Sequence, residues 1–326
     1  MYPDRSRFPP PGSDTRRIHD SGLDRSRPTR ITPDLISHCN FATRVNRHHK
    51  QAAAASKRWL LQGIDGLSSK KRQALQGLKA GLLASVCYPH AGYPQLMVCC
   101  NFLNCKNFDY NLNHLFHPDD LSDAIDKNGT QTIANVALNP LYHPTPSRSS
   151  SRVSYMTKDF WRRYSSTSSC GSQQRFVEIF DLFFQAVAQE AKDRKEGLIP
   201  GFHFMERPDL FSFNKEQSHG DTYTMVPGVM KERGLDMQSA VDFVGHLYHK
   251  TIDHFNDARV VIHIGGLSDW IIGGMHWSFQ SERYFGKDRN HAKVFSAVHL
   301  LPAQASGPWR HVGWLYLFWK HANITR

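Results

Sequence analysis

Three stretches that lie far apart in the chain carry residue types from which a polyanion site can be built. Asp119-Asp120-Leu121-Ser122-Asp123 is an acidic cluster whose outer carboxylates are four residues apart. Asp209-Leu210-Phe211-Ser212-Phe213-Asn214-Lys215-Glu216 puts a hydroxyl, Ser212, and a carboxylate, Glu216, at the same interval. Arg283-Tyr284 sets a cation beside a phenol. Positions i and i+4 share one face of a helix, so each of the first two stretches can aim two oxygen ligands at one point. Mg2+ takes oxygen donors and is often held through one or two carboxylates together with substrate phosphates. The chemistry implied is the handling of a metal-complexed phosphate.

Each stretch alone has an ordinary explanation. Asp119 and Asp120 suit a helix N-terminus, where carboxylates are favoured and where Pro118 is at home. Ser212 and Glu216 alone describe a polar helix face. Among the 19 histidines, His246, His249 and His254 fall on one expected helix and His48-His49 form a pair, but none follows His-Glu-x-x-His or another zinc pattern.

The elements that must position these residues read as helices throughout. Apolar spacing fits a 3.6-residue period over 51–61 and 70–83, with Ser68-Ser69 as caps. Residues 95–103 lead into the acidic cluster, and 123–139 continue as helix to Pro140. Residues 173–194 carry Phe176, Phe180, Phe183, Phe184 and Val187 at spacings of three, four and seven. Residues 237–256 and 262–279 add two long helical stretches, and 144–154 reads as a Ser/Pro loop. No alternating strand pattern is sustained, so the expected class is all-α.

With 326 residues and 40% hydrophobic residues the chain can bury a sizeable core. The net charge of +11 is concentrated in the first 60 residues. No DNA- or RNA-binding motif accompanies it, so no nucleic-acid partner is expected, and a positive field also draws in anionic substrates. Six cysteines without a CxxC pair read as reduced thiols of a cytoplasmic protein. No signal peptide is apparent, and no apolar run approaches the roughly 18 residues of a membrane span. Residues 1–30, rich in Pro and Arg, are expected to be a disordered leader. Residues 31–302 form the helical domain, and 303–326 an aromatic-rich tail. Oligomeric state is left open.

Taken together the motifs resemble those of the fungal, basidiomycete-type sesquiterpene synthases, which are class I terpene cyclases. Cys100-Asn101-Phe102-Leu103-Asn104 and Leu115-Phe116-His117-Pro118 are similar to the run ahead of that family's aspartate-rich motif. Asp209 to Glu216 resembles its second metal motif, and Trp277 to Gly286 its Arg-Tyr ending. The resemblance implies an α-helical bundle around a central cavity, a prenyl diphosphate substrate (farnesyl diphosphate), and ligand positions for three Mg2+ ions. It implies Asp119, Asp120 and Asp123 as catalytic residues. Asp119, Asp123, Ser212 and Glu216 would be metal ligands, and Lys215, Arg283 and Tyr284 would hold the diphosphate. Phe102, Phe180, Phe183, Phe184, Phe211 and Trp277 become candidate cavity walls, since aromatic faces stabilise cations; packing alone also explains rings at helical spacing.

Three departures keep a second reading open, a catalytically impaired homologue with an incomplete bundle. Pro208 stands where the family has a ligating Asn, and proline has no side-chain oxygen. Only Gly201-Phe202-His203-Phe204-Met205-Glu206-Arg207 lies between Pro200 and Pro208, where the family has a longer segment. Residues 105–114 are an insertion ahead of the acidic cluster.

Overall fold

The computed structural model describes residues 33–39, 41–62, 68–112, 135, 138–139, 141–142, 152–196, 210–218, 222, 224–262 and 265–301. Their order is α1 (Leu35–His38), α2 (His49–Gln62), α3 (Ser69–Gly77), α4 (Ala80–Cys87), α5 (Tyr93–Leu112), α6 (Arg152–Ser165), α7 (Cys170–Lys195), α8 (Phe213–Ser218), α9 (Met225–Arg233), α10 (Met237–Ile262), α11 (Gly265–Gln280) and α12 (Arg289–Phe295). The described residues are all-α, with no extended strand among them. The leader 1–30, the tail 303–326 and nearly all of 123–139 lie outside the described residues.

α4 sits at the centre of the first half, packed against α2, α5 and α11. Its sequence, AGLLASVC, is apolar all round, and seven of its residues are buried, as expected of a helix enclosed on every side. Small residues set the approach distances. A Cβ on Gly81 would collide with Ala53 of α2, and one on Gly273 of α11 would meet the backbone of Val86. α2 is an alanine-rich helix of high propensity that buries Ala52, Ser56 and Leu60, one turn apart. α5 meets it through Cys100 and Asn104, whose Nδ2 donates to Ser56 Oγ at 2.8 Å. Another face of α5 sends Phe102 into a ladder of rings from α6 and α7: Phe160, Phe176 and Phe180. α5 also runs unbroken to Leu112, so the described part of the 105–114 insertion lengthens a helix and does not interrupt one.

The periodicity over 70–83 predicts one helix, whereas the chain turns at Leu78 and Lys79, the latter left-handed at φ 47°. Three long-range bonds account for the turn. The Trp277 indole donates to the Leu78 carbonyl at 2.8 Å, Lys79 Nζ to the Gln280 carbonyl at 2.8 Å, and the Glu282 amide to the Gly77 carbonyl at 2.9 Å. A lysine at the last carbonyls of α11 also complements that helix's dipole. Tertiary contacts here override local propensity.

Residues 33–39 and 41–46 strap across α10 and α11. Arg44 donates twice to the Asp269 carboxylate, at 3.1 and 2.9 Å. His38 bonds Asp253 at 2.8 Å and lies over His249 with ring centroids 4.2 Å apart. Burial, followed by the neighbouring His38 and His246, holds the His249 imidazole below its ordinary value. His49 and His276 are lowered by burial as well. A base whose folded pKa lies below its unfolded one, about 6.5, binds protons preferentially when unfolded, so stability falls as pH drops below that value. The thermal midpoint is therefore expected to decrease from neutral pH toward pH ~5, and His249→Phe, which keeps a ring but cannot protonate, to flatten the slope. A His249→Phe slope equal to wild type, measured by thermal denaturation across that range, excludes this residue as a source.

Cys87, Cys99, Cys100 and Cys170 are free thiols. Burial pushes Cys99 and Cys100 up to about 12, so neither is a thiolate at neutral pH. No helix among the described residues is long and apolar enough to cross a membrane.

Candidate functional site

The second and third motifs, some 70 residues apart in the chain, meet in space. Ser212 precedes α8, and its carbonyl accepts from the amides of Lys215 and Glu216, each at 2.9 Å. That first turn fixes Ser212 and Glu216 one turn apart, and both are buried, each 2% exposed. Phe211 and Phe213, on either side of Ser212, anchor the turn in the main core together with Phe279 and Phe285. Phe211 lies edge-on to Phe279 at 5.1 Å and 6.3 Å from the ring of Tyr284. Tyr284 in turn meets Trp277 at 5.9 Å, and the Arg283 guanidinium stands 5.4 Å from the Tyr284 ring. A knot of aromatic rings thus carries the Arg-Tyr turn to the start of α8.

The electrostatics record the same meeting. Burial, then the positive charge of Arg283, lower the Lys215 ammonium to about 8, while Glu216 pulls in the opposite direction. Two cations held close in a partly dry setting favour a polyanion between them, because like charges disfavour one another until an anion intervenes. Lys215 keeps most of its charge at neutral pH and loses it a little above.

Sequence reasoning missed what holds α8 from its other side. Asn214, 4% exposed, donates through Nδ2 to the His299 carbonyl and accepts from the Leu301 amide, both at 2.9 Å. Gln217 donates to the Leu301 carbonyl at 3.0 Å. The amides at 214 and 217, three residues apart beside a hydroxyl and a carboxylate, were the available signal.

Asp119, Asp120 and Asp123 lie outside the described residues, as do Arg207, Pro208 and Asp209. Ser212, Lys215, Glu216, Arg283 and Tyr284 are described and come together. Of the six candidate wall rings, Phe211 and Trp277 adjoin this group. Among the described residues Phe102, Phe180, Phe183 and Phe184 belong to the ladder of rings between α5, α6 and α7. Trp277 is also an anchor, with its indole bonded to Leu78.

The donor set suits a hard cation in part. Ser212 and Glu216 offer buried oxygens one turn apart, the ligand type Mg2+ takes, next to the cations a phosphate would need. Among the described residues no group of three His, Cys, Asp or Glu converges as a complete metal site. The described half therefore fits an ion shared with phosphate and a second protein segment, not one enclosed by this segment alone.

The sequence profile described as "Terpene synthase family 2, C-terminal metal binding" matches residues 110–205 and 207–254. Sesquiterpene synthase Agr1 of Cyclocybe aegerita is 42% identical over 334 aligned positions, which cover 84% of this chain and 94% of the relative. Sesquiterpene synthase 1 of Postia placenta is 42% identical over 353 positions, covering 88% of this chain and 100% of the relative. Those 353 positions outnumber the chain's own 326 residues, so the relative carries internal sequence that this chain lacks. Among solved structures, a variant of the SVS_A2 protein from ancestral sequence reconstruction superposes with a TM-score of 0.63 at 15% identity, covering 90% of this chain and 100% of that one. A single-residue variant of cucumene synthase gives 0.61 at 17%, covering 74% and 98%. At that identity the likeness is one of fold.

Proposed function

Because the chain belongs to the terpene synthase family, with basidiomycete sesquiterpene synthases among its relatives, we propose that it ionises farnesyl diphosphate and cyclises the resulting carbocation, releasing diphosphate. The observation that carries this reading is the convergence of Lys215, Glu216, Ser212 and the Arg283-Tyr284 turn on one buried locus.

Breaking an allylic carbon–oxygen bond leaves the bonding pair on the departing diphosphate, whose growing negative charge must be met as it develops. Lys215 and Arg283 supply fixed positive charge there, with the guanidinium able to fork across two oxygens. The Tyr284 hydroxyl adds a donor on the same side. Ser212 and Glu216, with Asp119 and Asp123 from the other motif, would hold Mg2+. When bound, that ion neutralises diphosphate charge. Phe211 and Trp277, which adjoin Tyr284, would offer aromatic faces to the cation left behind, and a dry wall would keep water from quenching it. Three ions, the prenyl chain length and a cytoplasmic setting are parts of this proposal.

A second reading is favoured by specific observations. The family match breaks at residue 206, within the shortened link before Pro208, and the relatives carry internal sequence missing here. A chain without that segment and without an oxygen at position 208 would be an impaired synthase that binds a prenyl diphosphate and turns it over slowly or not at all. Incubating the purified full chain with farnesyl diphosphate and Mg2+ separates the two. Hydrocarbon or alcohol products by gas chromatography support the cyclase; bound but intact substrate supports the impaired homologue.

Lys215 offers a further check. Its charge is present below about 8 and lost above, so between pH ~7 and ~9.5 the wild type is expected to lose affinity for inorganic pyrophosphate relative to a variant that stays charged, by about tenfold or more for one charge-assisted contact, the ligand's own deprotonation being common to both. Lys215→Arg, charged throughout, is expected to lose far less over the same interval. Parallel calorimetric profiles for the two proteins would remove Lys215 from the diphosphate site.

A further inference from the structure

Outside this site the most unusual feature is a cation-rich surface, whose one carboxylate at the α3 end among the described residues, Glu282 against Gly77, is paired with Arg289 at 3.4 Å. Between residues 35 and 108 the sequence carries ten Lys and Arg against one acid, Asp65. Lys50, Lys57, Arg58, Arg72 and Lys79 of α2, α3 and the α3–α4 turn are exposed. Among the described residues neither Lys50, Lys57, Arg58 nor Arg72 has a carboxylate partner. Lys50 and Lys57 are seven apart on α2, and Arg72 lies one turn before Leu75 and Gln76 on α3, so these cations stand on the rows that face each other across α2, α3 and α4.

Between those rows is a half-open pocket of about 330 Å3, floored by Ala53, Leu60, Leu61, Leu75 and Leu82. His49, Lys57 and Lys79 are on its rim, and no Asp or Glu lines it. Its size falls within the range of small-molecule clefts, and its aliphatic floor within a cationic ring matches an amphiphile with an anionic head and an alkyl chain.

We propose that this face docks the chain on an anionic phospholipid bilayer, with Lys50, Lys57 and Arg72 meeting headgroups and the α2–α3–α4 pocket taking part of an acyl chain. Long cationic side chains reach headgroup oxygens while their stems cover apolar surface. A nucleic acid meets the same charge but not the same floor. Binding to unpaired bases relies on aromatic faces for stacking, and the pocket lining holds no Phe, Tyr or Trp. The nearby Trp59 is tied down, its indole donating to Asp159 of α6 at 3.0 Å.

Co-sedimentation of the full chain with phosphatidylcholine vesicles, with and without phosphatidylserine, tests this. Retention is expected only on the anionic vesicles and to fall as salt rises, since the Debye length is about 10 Å at 0.1 M. The triple variant Lys50→Glu, Lys57→Glu, Arg72→Glu is expected to lose about 10²-fold or more in partition, at roughly fivefold per cation removed. All three residues are exposed, so helical content should be unchanged; the corresponding Gln triple gives the same ranking should the reversed charges disturb the fold. Leu61→Ser, on the pocket floor, is expected to weaken retention severalfold at fixed charge. No retention of the wild type, or equal retention of wild type and triple variant, overturns the proposal, the latter because the basic leader would then carry the binding. Undiminished retention of Leu61→Ser overturns the role of the pocket. Loss of oligonucleotide retention in the triple variant without any vesicle binding overturns it in favour of a nucleic-acid surface.

Discussion

Glu216→Gln is expected to abolish turnover while leaving the far-ultraviolet helical signal at wild-type strength. Glutamine keeps the volume and one acceptor oxygen of a side chain that is 2% exposed, so the packing of α8 survives. What disappears is the negative charge beside Lys215 and Arg283 and one oxygen donor of the proposed ion site. Even outer-shell partners of metal ligands cost about 10–100-fold in activity or metal affinity when replaced, so a direct donor should cost about 10²-fold or more. Glu216 also raises the Lys215 ammonium; without it that amine should titrate lower still, weakening diphosphate binding near neutral pH. Asp119→Ala, on the opposite motif, is expected to act alike. Product analysis by gas chromatography beside circular dichroism decides the matter, and retained turnover in both variants removes the metal assignment.

Phe213→Ala is expected to produce the largest loss of stability. Phe213 is 2% exposed and belongs to the main core with Phe211, Val241, Val244, Phe279 and Phe285. Removing a buried phenyl ring costs about 3–5 kcal/mol in transfer and cavity terms, out of a total of about 5–15 kcal/mol for a typical domain. The same ring seats the turn that carries Ser212, so the site should loosen with the core. Phe213→Leu, which refills most of the volume, should cost much less. Urea denaturation of the three proteins gives the ordering, and equal midpoints for wild type and Phe213→Ala would mean that this ring is not packed as described.

Much of the architecture was legible because apolar periodicity reports burial directly. α2, α7 and α10 follow their Ala, Phe and Val/Ile rows closely, and the all-α class follows from the absence of alternation. α6 and α9 escaped for physical reasons. In α6 the buried residues Met156 and Phe160 are separated by charges, and its start at Arg152 is masked by the Ser/Pro run before it. In α9 a proline, Pro227, sits in the first turn, where a helix tolerates it but a linear reading sees a break. The turn at Leu78 was illegible in principle, since its stabilising partners lie some 200 residues later.

The candidate site divides along the same line. The pairing of Ser212 with Glu216 follows from spacing alone, whereas the burial of both does not, since only Phe213 among the residues between them is apolar. The arrival of Arg283 and Tyr284 beside them depends on ring contacts among Phe211, Phe279 and Phe285, which no spacing rule announces. The wall rings show the limit well. Phe180 and Phe211 are equally aromatic in sequence, yet one joins the α5–α6–α7 ladder and the other abuts the Arg-Tyr turn.

The three bonds from residues 77–79 to residues 277–282 bear on how this chain can be recombined with its relatives. A hybrid that exchanges only the C-terminal third would hang its Arg-Tyr hook on a foreign peg, because the seam between parental halves runs through a clasp and not through a linker. Exchangeable modules in this scaffold are consequently discontinuous: the α3–α4 corner travels with the end of α11, or neither travels well.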